Sequence, residues 1–97
     1  MTNHKILRFG VIGAGRIGKL HAENLATRIS DVEVVAIADI NLDAAQETAR
    51  RLHIPTAVQD YHLILADDTI DAVAICSSTD THAQIISEAA AAGKHIF

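Results

Sequence analysis

The sequence predicts an α/β fold: one parallel sheet in the strand order 3-2-1-4-5, with helices on both faces. Three observations predict it. Apolar runs of strand length alternate along the chain with segments of helical periodicity, which is the pattern of repeated strand–helix–strand units. The runs Ile6 to Ile12, Val32 to Asp39 and Ile70 to Cys76 are nearly unbroken, as expected of strands covered on both faces. Hydrophobic residues make up 49% of the 97 residues and aromatic residues only 3%, so the core must be built from Ile, Val, Leu and Ala. A chain of this length makes one domain, residues 1–97, with no room for a second. Right-handed crossovers then open a crevice between strands one and four, where the strand order reverses.

The first strand, Ile6 to Ile12, runs into Gly13-Ala14-Gly15-Arg16-Ile17-Gly18, a G-x-G-x-x-G loop that opens a helix. Gly13 lets the chain turn sharply out of the strand. Gly15 lets a pyrophosphate approach the backbone, and Gly18 lets the new helix lie close to the sheet. The first-turn amides of that helix, Arg16 and Ile17 among them, have no partner within the helix and suit a diphosphate. An ordinary strand-to-helix turn without a ligand is the competing reading. The helix should carry Ile17, Leu20, Leu25 and Ile29 inward and turn Lys19, Glu23 and Arg28 to water.

The second strand, Val32 to Asp39, is β-branched and closes on an acid. Asp39 stands twenty-one residues beyond Gly18, where dinucleotide folds place a carboxylate that accepts hydrogen bonds from the adenosine ribose. The same carboxylate repels a 2′-phosphate, and Ile40 and Asn41 supply no positive charge to offset it. Hydrogen bonds to a charged group are worth about 1.5–3 kcal/mol each, so NAD should be preferred over NADP by about tenfold or more. A strand-end Asp that only caps the coming turn is the alternative.

Asn41 caps a second helix with the apolar stripe Leu42, Ala45, Ala49 and Leu52. Arg50 and Arg51 in its last turn favour the helix dipole and read as a solvated face. Pro55 ends this helix, and Thr56 to Val58 form a short third strand. Asp60 caps a brief helix, Tyr61 to Ala66, with Tyr61, Ile64 and Leu65 toward the sheet. After the turn Asp67-Asp68-Thr69 comes the fourth strand, Ile70 to Cys76, and then a loop, Ser77 to Thr81. A long helix, His82 to Ala92, stops at Gly93, and Lys94 to Phe97 open a fifth strand. The segment Cys76 to Thr81 should face the glycine loop across the crevice, with Cys76, Ser77, Ser78 and Thr79 meeting the nicotinamide half of the cofactor. His82, beside that crevice, either touches the cofactor or merely packs.

Composition excludes several function classes. Eight Lys and Arg against twelve Asp and Glu give a net charge of −4 with no basic cluster, which argues against nucleic acid. The six histidines, His4, His21, His53, His62, His82 and His95, are scattered, and none pairs with another at helical metal-ligand spacing. A single cysteine, Cys76, makes no internal disulfide and reads as a buried thiol in a reducing compartment. No run is long enough to span a bilayer, and Met1 to Lys5 lead into the first strand without a signal-peptide core, so the expectation is a cytoplasmic protein.

Taken together, Gly13 to Gly18, Asp39, the segment Cys76-Ser77-Ser78-Thr79-Asp80-Thr81-His82-Ala83 and the ending Ala92-Gly93-Lys94-His95-Ile96-Phe97 resemble the Rossmann-like cofactor domain of the Gfo/Idh/MocA oxidoreductases. Within that family the chain is most similar to the inositol 2-dehydrogenases. The resemblance implies a two-domain, often tetrameric enzyme that moves a hydride between NAD(P) and a secondary alcohol of a cyclitol or sugar. It also implies that a Glu-Lys-Pro motif with a catalytic lysine, and later a substrate domain with an Asp and a His, follow the fifth strand. None of these has a position in the 97 residues, so no catalytic residue carries over. The expectation is a cofactor-binding portion that ends before the catalytic part and binds NAD without turnover. A different class of reading is a stand-alone nucleotide-binding or self-associating module that pairs through the edge strand 94–97.

Overall fold

The structure is a computed structural model that describes residues 6–97; His4 and the segment preceding the first strand lie outside the described residues. Among the described residues five strands and four helices alternate: β1 (Leu7–Ile12), α1 (Arg16–Arg28), β2 (Val32–Ala38), α2 (Leu42–Leu52), β3 (Thr56–Val58), α3 (His62–Leu65), β4 (Ala72–Ile75), α4 (Thr79–Ala91) and β5 (His95–Ile96). The sheet is parallel throughout and runs β3-β2-β1-β4-β5, the order expected. β1 is the central strand, and its last four residues, Phe9 to Ile12, are buried between two neighbours and under helices on both sides.

The two faces carry separate cores. Phe9, Val11, Val34, Ile37, Ala72 and Ala74 point to the side covered by α1 and α2. Ile12, Val35, Ala36, Ala38 and Val73 point to the side covered by α3 and α4. Val35 and Ala36 fall on the same side although they are adjacent, because the register of β1 on β2 slips between Phe9 and Gly10. This bulge leaves one extra residue on β2 and breaks the strict alternation of side chains. Gly10 lies directly above Ile64, and a Cβ there would come within 2.4 Å of Ile64 Cγ2.

Helix α1 packs differently from its predicted amphipathic stripe. Gly18 and Ala22 are its buried residues and Leu25 and Ala26 pack beside them, whereas Ile17, Leu20 and Ile29 are 54%, 52% and 46% exposed. Two stripes compete at helical spacing in this sequence. The one with the smallest side chains wins because Gly18 and Ala22 let the helix axis come closest to the sheet, which turns the bulkier residues outward.

Helix α2 follows the expected stripe, with Ala45 and Ala49 buried, Leu42 and Leu52 half-buried and the Asn41 side chain accepting from the Ala44 amide at 3.3 Å. It ends before Pro55 is reached: His53 takes a left-handed conformation, φ 58°, and lets Ile54 donate to the Ala49 carbonyl and bury its side chain. Arg51 pairs with Glu23 of α1 at 2.8 Å, so its charge is accounted for without a ligand. β4 is shorter than predicted. Ile70 is buried ahead of the strand, where Asp71 instead exchanges main-chain and side-chain hydrogen bonds with the backbone of Arg8. At the far end of α4, Gly93 and Lys94 donate to the carbonyls of Ala90 and Ala89, the paired bonds of a glycine-terminated helix.

Ile37 is fully buried at the centre of the α1/α2 face. Ile37→Ala should cost about 2–5 kcal/mol, a large share of the stability of a domain this size, and appear as a lower urea midpoint at unchanged slope.

Candidate functional site: a crevice at the carboxyl ends of β1, β2 and β4

Three strand ends meet under the glycine loop. The Gly13 amide donates to the Ala38 carbonyl at 2.7 Å, and the Cys76 amide donates to the Ile12 carbonyl at 2.8 Å. Gly13 has φ +109°, and a Cβ on it would lie 2.7 Å from the Cys76 backbone and 2.8 Å from the Ser77 nitrogen. At Gly18 a Cβ would sit 1.9 Å from the Gly13 carbonyl oxygen. These two glycines are therefore demanded by the protein's own backbone. Gly15 is different: it is extended, φ −72° and ψ −168°, and a Cβ on it would meet nothing within 4 Å among the described residues. Its face is open to the crevice.

Asp39 closes the loop from the side of β2. Its Oδ2 accepts from the Ala14 amide at 2.6 Å and its Oδ1 from the Asn41 amide at 2.8 Å. The carboxylate thus caps the turn after β2 and also anchors the glycine loop, a contact that the sequence reading did not consider. Two carboxylate oxygens accept about four hydrogen bonds in all, which leaves capacity for a ligand's hydroxyls.

Opposite, α4 begins three residues earlier than the sequence suggests. Ser78 is its N-cap in extended conformation, and Thr79, Asp80 and Thr81 form its first turn. The Thr81 hydroxyl is held by Ser77 Oγ and the Ser78 carbonyl, and Asp80 suits the helix start, so the polar run is absorbed into the helix rather than left as a loop. Two helix N-termini, those of α1 and α4, therefore open beside each other, and their first-turn amides supply partial positive charge where the chain has no clustered cations.

The cavity they border measures about 520 Å³, within the range of small-molecule sites. Gly13, Gly15, Asp39, Cys76, Ser77 and Ser78 line it as predicted. Arg16, Ile17, Gly18, Thr79 and His82 do not line it: Gly18 is buried beneath the loop, while Arg16, Ile17 and Thr79 are exposed in helical first turns. His82 is half-buried on α4, and its Nε2 is enclosed without a hydrogen-bond partner among the described residues. The Cys76 thiol is half-buried, and burial raises its pKa, which suits packing rather than nucleophilic chemistry. Thr81, the end of the segment expected to face the glycine loop, also lines the cavity; sequence reasoning missed Gln59, Tyr61 and His62 after β3, and Gln84 and Ile85 on α4. The signal was present, since β3 points the same way as β1 and its following connection arrives at the same end of the sheet. Ile40 also lines the cavity and is 83% exposed, an apolar platform immediately beyond Asp39. No group of three or more His, Cys, Asp or Glu placed to hold a metal is found among the described residues.

A family profile described as an oxidoreductase family with an NAD-binding Rossmann fold matches residues 7–97. The chain belongs to the Gfo/Idh/MocA oxidoreductase family. It is similar to the myo-inositol 2-dehydrogenase of Thermotoga maritima, 44% identical over 91 residues that make up 94% of this chain and 27% of that protein. Its fold matches the scyllo-inositol dehydrogenase of Lactobacillus casei solved with NAD(H) and scyllo-inositol, with a TM-score of 0.90 and 33% identity over 96% of this chain and 27% of that one. It also matches a 3-ketoreductase variant from Actinomadura kijaniata in complex with TDP-benzene and NADP, with a TM-score of 0.85 and 32% identity over 96% of this chain and 28% of that one. The chain spans about a quarter of the length of these Gfo/Idh/MocA relatives.

The contrast between the glycines is testable. Gly18→Ala should lose about 1–3 kcal/mol of stability because backbone must move to admit the methyl group. Gly15→Ala should stay within about 0.5 kcal/mol of the parent. Thermal unfolding of the two variants checks both.

Proposed function

We propose that this chain is the NAD-binding portion of a cytoplasmic dehydrogenase that moves a hydride between NAD and a secondary alcohol of inositol or a related sugar. One observation carries the reading: two helix N-termini and the Asp39 carboxylate converge on a single cavity beside the uncovered face of Gly15. A dinucleotide presents that combination of groups, a diphosphate next to a ribose with vicinal hydroxyls. In this assignment Gly13, Gly15, Arg16, Ile17 and Gly18 form the diphosphate turn, through main-chain amides and close helix packing. Asp39 accepts from the adenosine ribose, and Ile40 lies against the base. Cys76, Ser77, Ser78 and Thr79 border the nicotinamide half, and His82 supports that region from within α4. Bound NAD would supply the hydride acceptor, and the residues of this domain, 1–97, bind and orient it without supplying a proton acceptor for the alcohol.

Asp39 with Ile40 favours NAD over NADP, since a 2′-phosphate would meet a carboxylate and an apolar side chain. No helix among the described residues is long and apolar enough to cross a membrane. A second reading, self-association through the sheet edge, draws on β5: His95 and Ile96 pair only with β4 among the described residues, and Ile96 and Phe97 are 36% and 70% exposed.

Calorimetric titration should give micromolar or weaker NAD binding, NADP weaker by about tenfold or more, and no oxidation of inositol. Equal affinities or tighter NADP would overturn the role given to Asp39. Gly15→Trp should abolish NAD binding while leaving the melting temperature of the chain near its parent value. Light scattering should show a dimer at high concentration if the β5 edge pairs, and a monomer at all concentrations refutes that pairing.

A further inference from the structure

The outer mouth of the cavity lies between two banks, Gln59, Tyr61 and His62 at the start of α3, and Thr81, Gln84 and Ile85 on α4. A side-chain network ties one bank to the other. His62 Nδ1 lies 2.7 Å from Asp60 Oδ1, in the turn before α3, and His62 Nε2 lies 2.6 Å from Glu88 Oε2 on α4. The second oxygen of Glu88 accepts from the Tyr61 hydroxyl, and the Tyr61 and His62 rings stack with centroids 4.2 Å apart. An imidazole with a carboxylate at each nitrogen can donate to both only when it carries its second proton. The neutral ring has one N–H, so one nitrogen lone pair would face a carboxylate.

We propose that protonated His62 is a positioning residue, a clasp between the start of α3 and α4 that sets the width of the cofactor cavity at its adenosine end. The proposal rests on reading that cavity as the NAD site. The charged groups facing His62 are Asp60 from its own turn and Glu88 from α4. Tyr61 faces it as a neutral phenol whose pKa is pushed up to about 12 by the bond to Glu88. Asp39 borders the same cavity from β2 but is engaged with the Ala14 and Asn41 amides.

Hydrogen bonds to Asp60 and then Glu88 raise the His62 pKa above its ordinary 6.5. Those two carboxylates are lowered, Asp60 chiefly by the His62 backbone amide and Glu88 chiefly by the Tyr61 hydroxyl. The His62 contribution is therefore complete below its ordinary pKa and is lost as pH rises through the raised value. The carboxylate contributions are present above the ordinary carboxylate range and are lost as pH falls through the lowered values. The clasp is closed between these limits. His62 and its partners are partly solvated, with side chains 53%, 61% and 31% exposed for His62, Asp60 and Glu88, so the effect is a few-fold one.

The test is NAD titration of the chain by calorimetry from about pH 5.5 to about pH 9, alongside an NMR titration of the His62 ring. NAD affinity should weaken by about threefold as pH passes the measured His62 pKa. His62→Gln should bind at the weaker level with a flat profile, and Glu88→Gln should lower the His62 pKa and shift the inflection with it. A flat profile in the parent chain, or an inflection that survives in His62→Gln, overturns the clasp while NAD binding itself stands. Absence of NAD binding at every pH overturns the cofactor reading, and the positioning role with it, whatever the His62 pKa.

Discussion

The structure depends on a backbone-to-backbone contact that no side chain could share. Gly13 lies against the Cys76–Ser77 peptide, and Gly18 lies against the Gly13 carbonyl, so the ends of β1 and β4 and the start of α1 occupy one crowded point. Hydrogen bonds from Gly13 to Ala38 and from Cys76 to Ile12 fasten the neighbouring strand ends to it. The crowding fixes the separation of the α1 and α4 N-termini and hence the shape of the cavity between them. It also dictates the packing of α1, since a helix pinned at Gly18 must lay its small residues on the sheet and hold Ile17 and Leu20 outward.

Electrostatics in this chain rest on dipoles more than on charged side chains. With a net charge of −4, a dianionic diphosphate would be repelled by the molecule at long range. The crevice meets that repulsion locally, with unpartnered amides at two helix starts, and these act at short range where salt screens least. Asp39 belongs to the same arrangement. By accepting from Ala14 and Asn41 it holds the loop amides in place, and it retains lone pairs for hydroxyl groups. One residue therefore orders the glycine loop and closes the turn after β2. On the same cavity the charged groups around His62 are paired differently, with this ionisable ring standing between two acids on separate elements.

Much was legible in the sequence because its signals were local. The unbroken apolar runs gave the strands, Asn41 and Gly93 gave helix ends through their own side-chain or backbone chemistry, and the spacing of Gly13, Gly15 and Gly18 gave the tight turn from β1 into α1. The readings that failed needed information from elsewhere in the chain. The exposed stripe of α1 depends on a close approach to β1, and the left-handed His53 on the burial of Ile54.

By itself, the sequence determined the alternation of strands and helices, the parallel order of the sheet, and the identity of the turn at Gly13 to Gly18, because each follows from short-range periodicity and glycine stereochemistry. Only the tertiary structure decided which face of α1 is buried, that Asp39 holds the glycine loop, and that His62 bridges α3 to α4. The physical reason is that these features rest on contacts between residues 25 or more positions apart, whose distances are set by packing and not by the chain's local conformation.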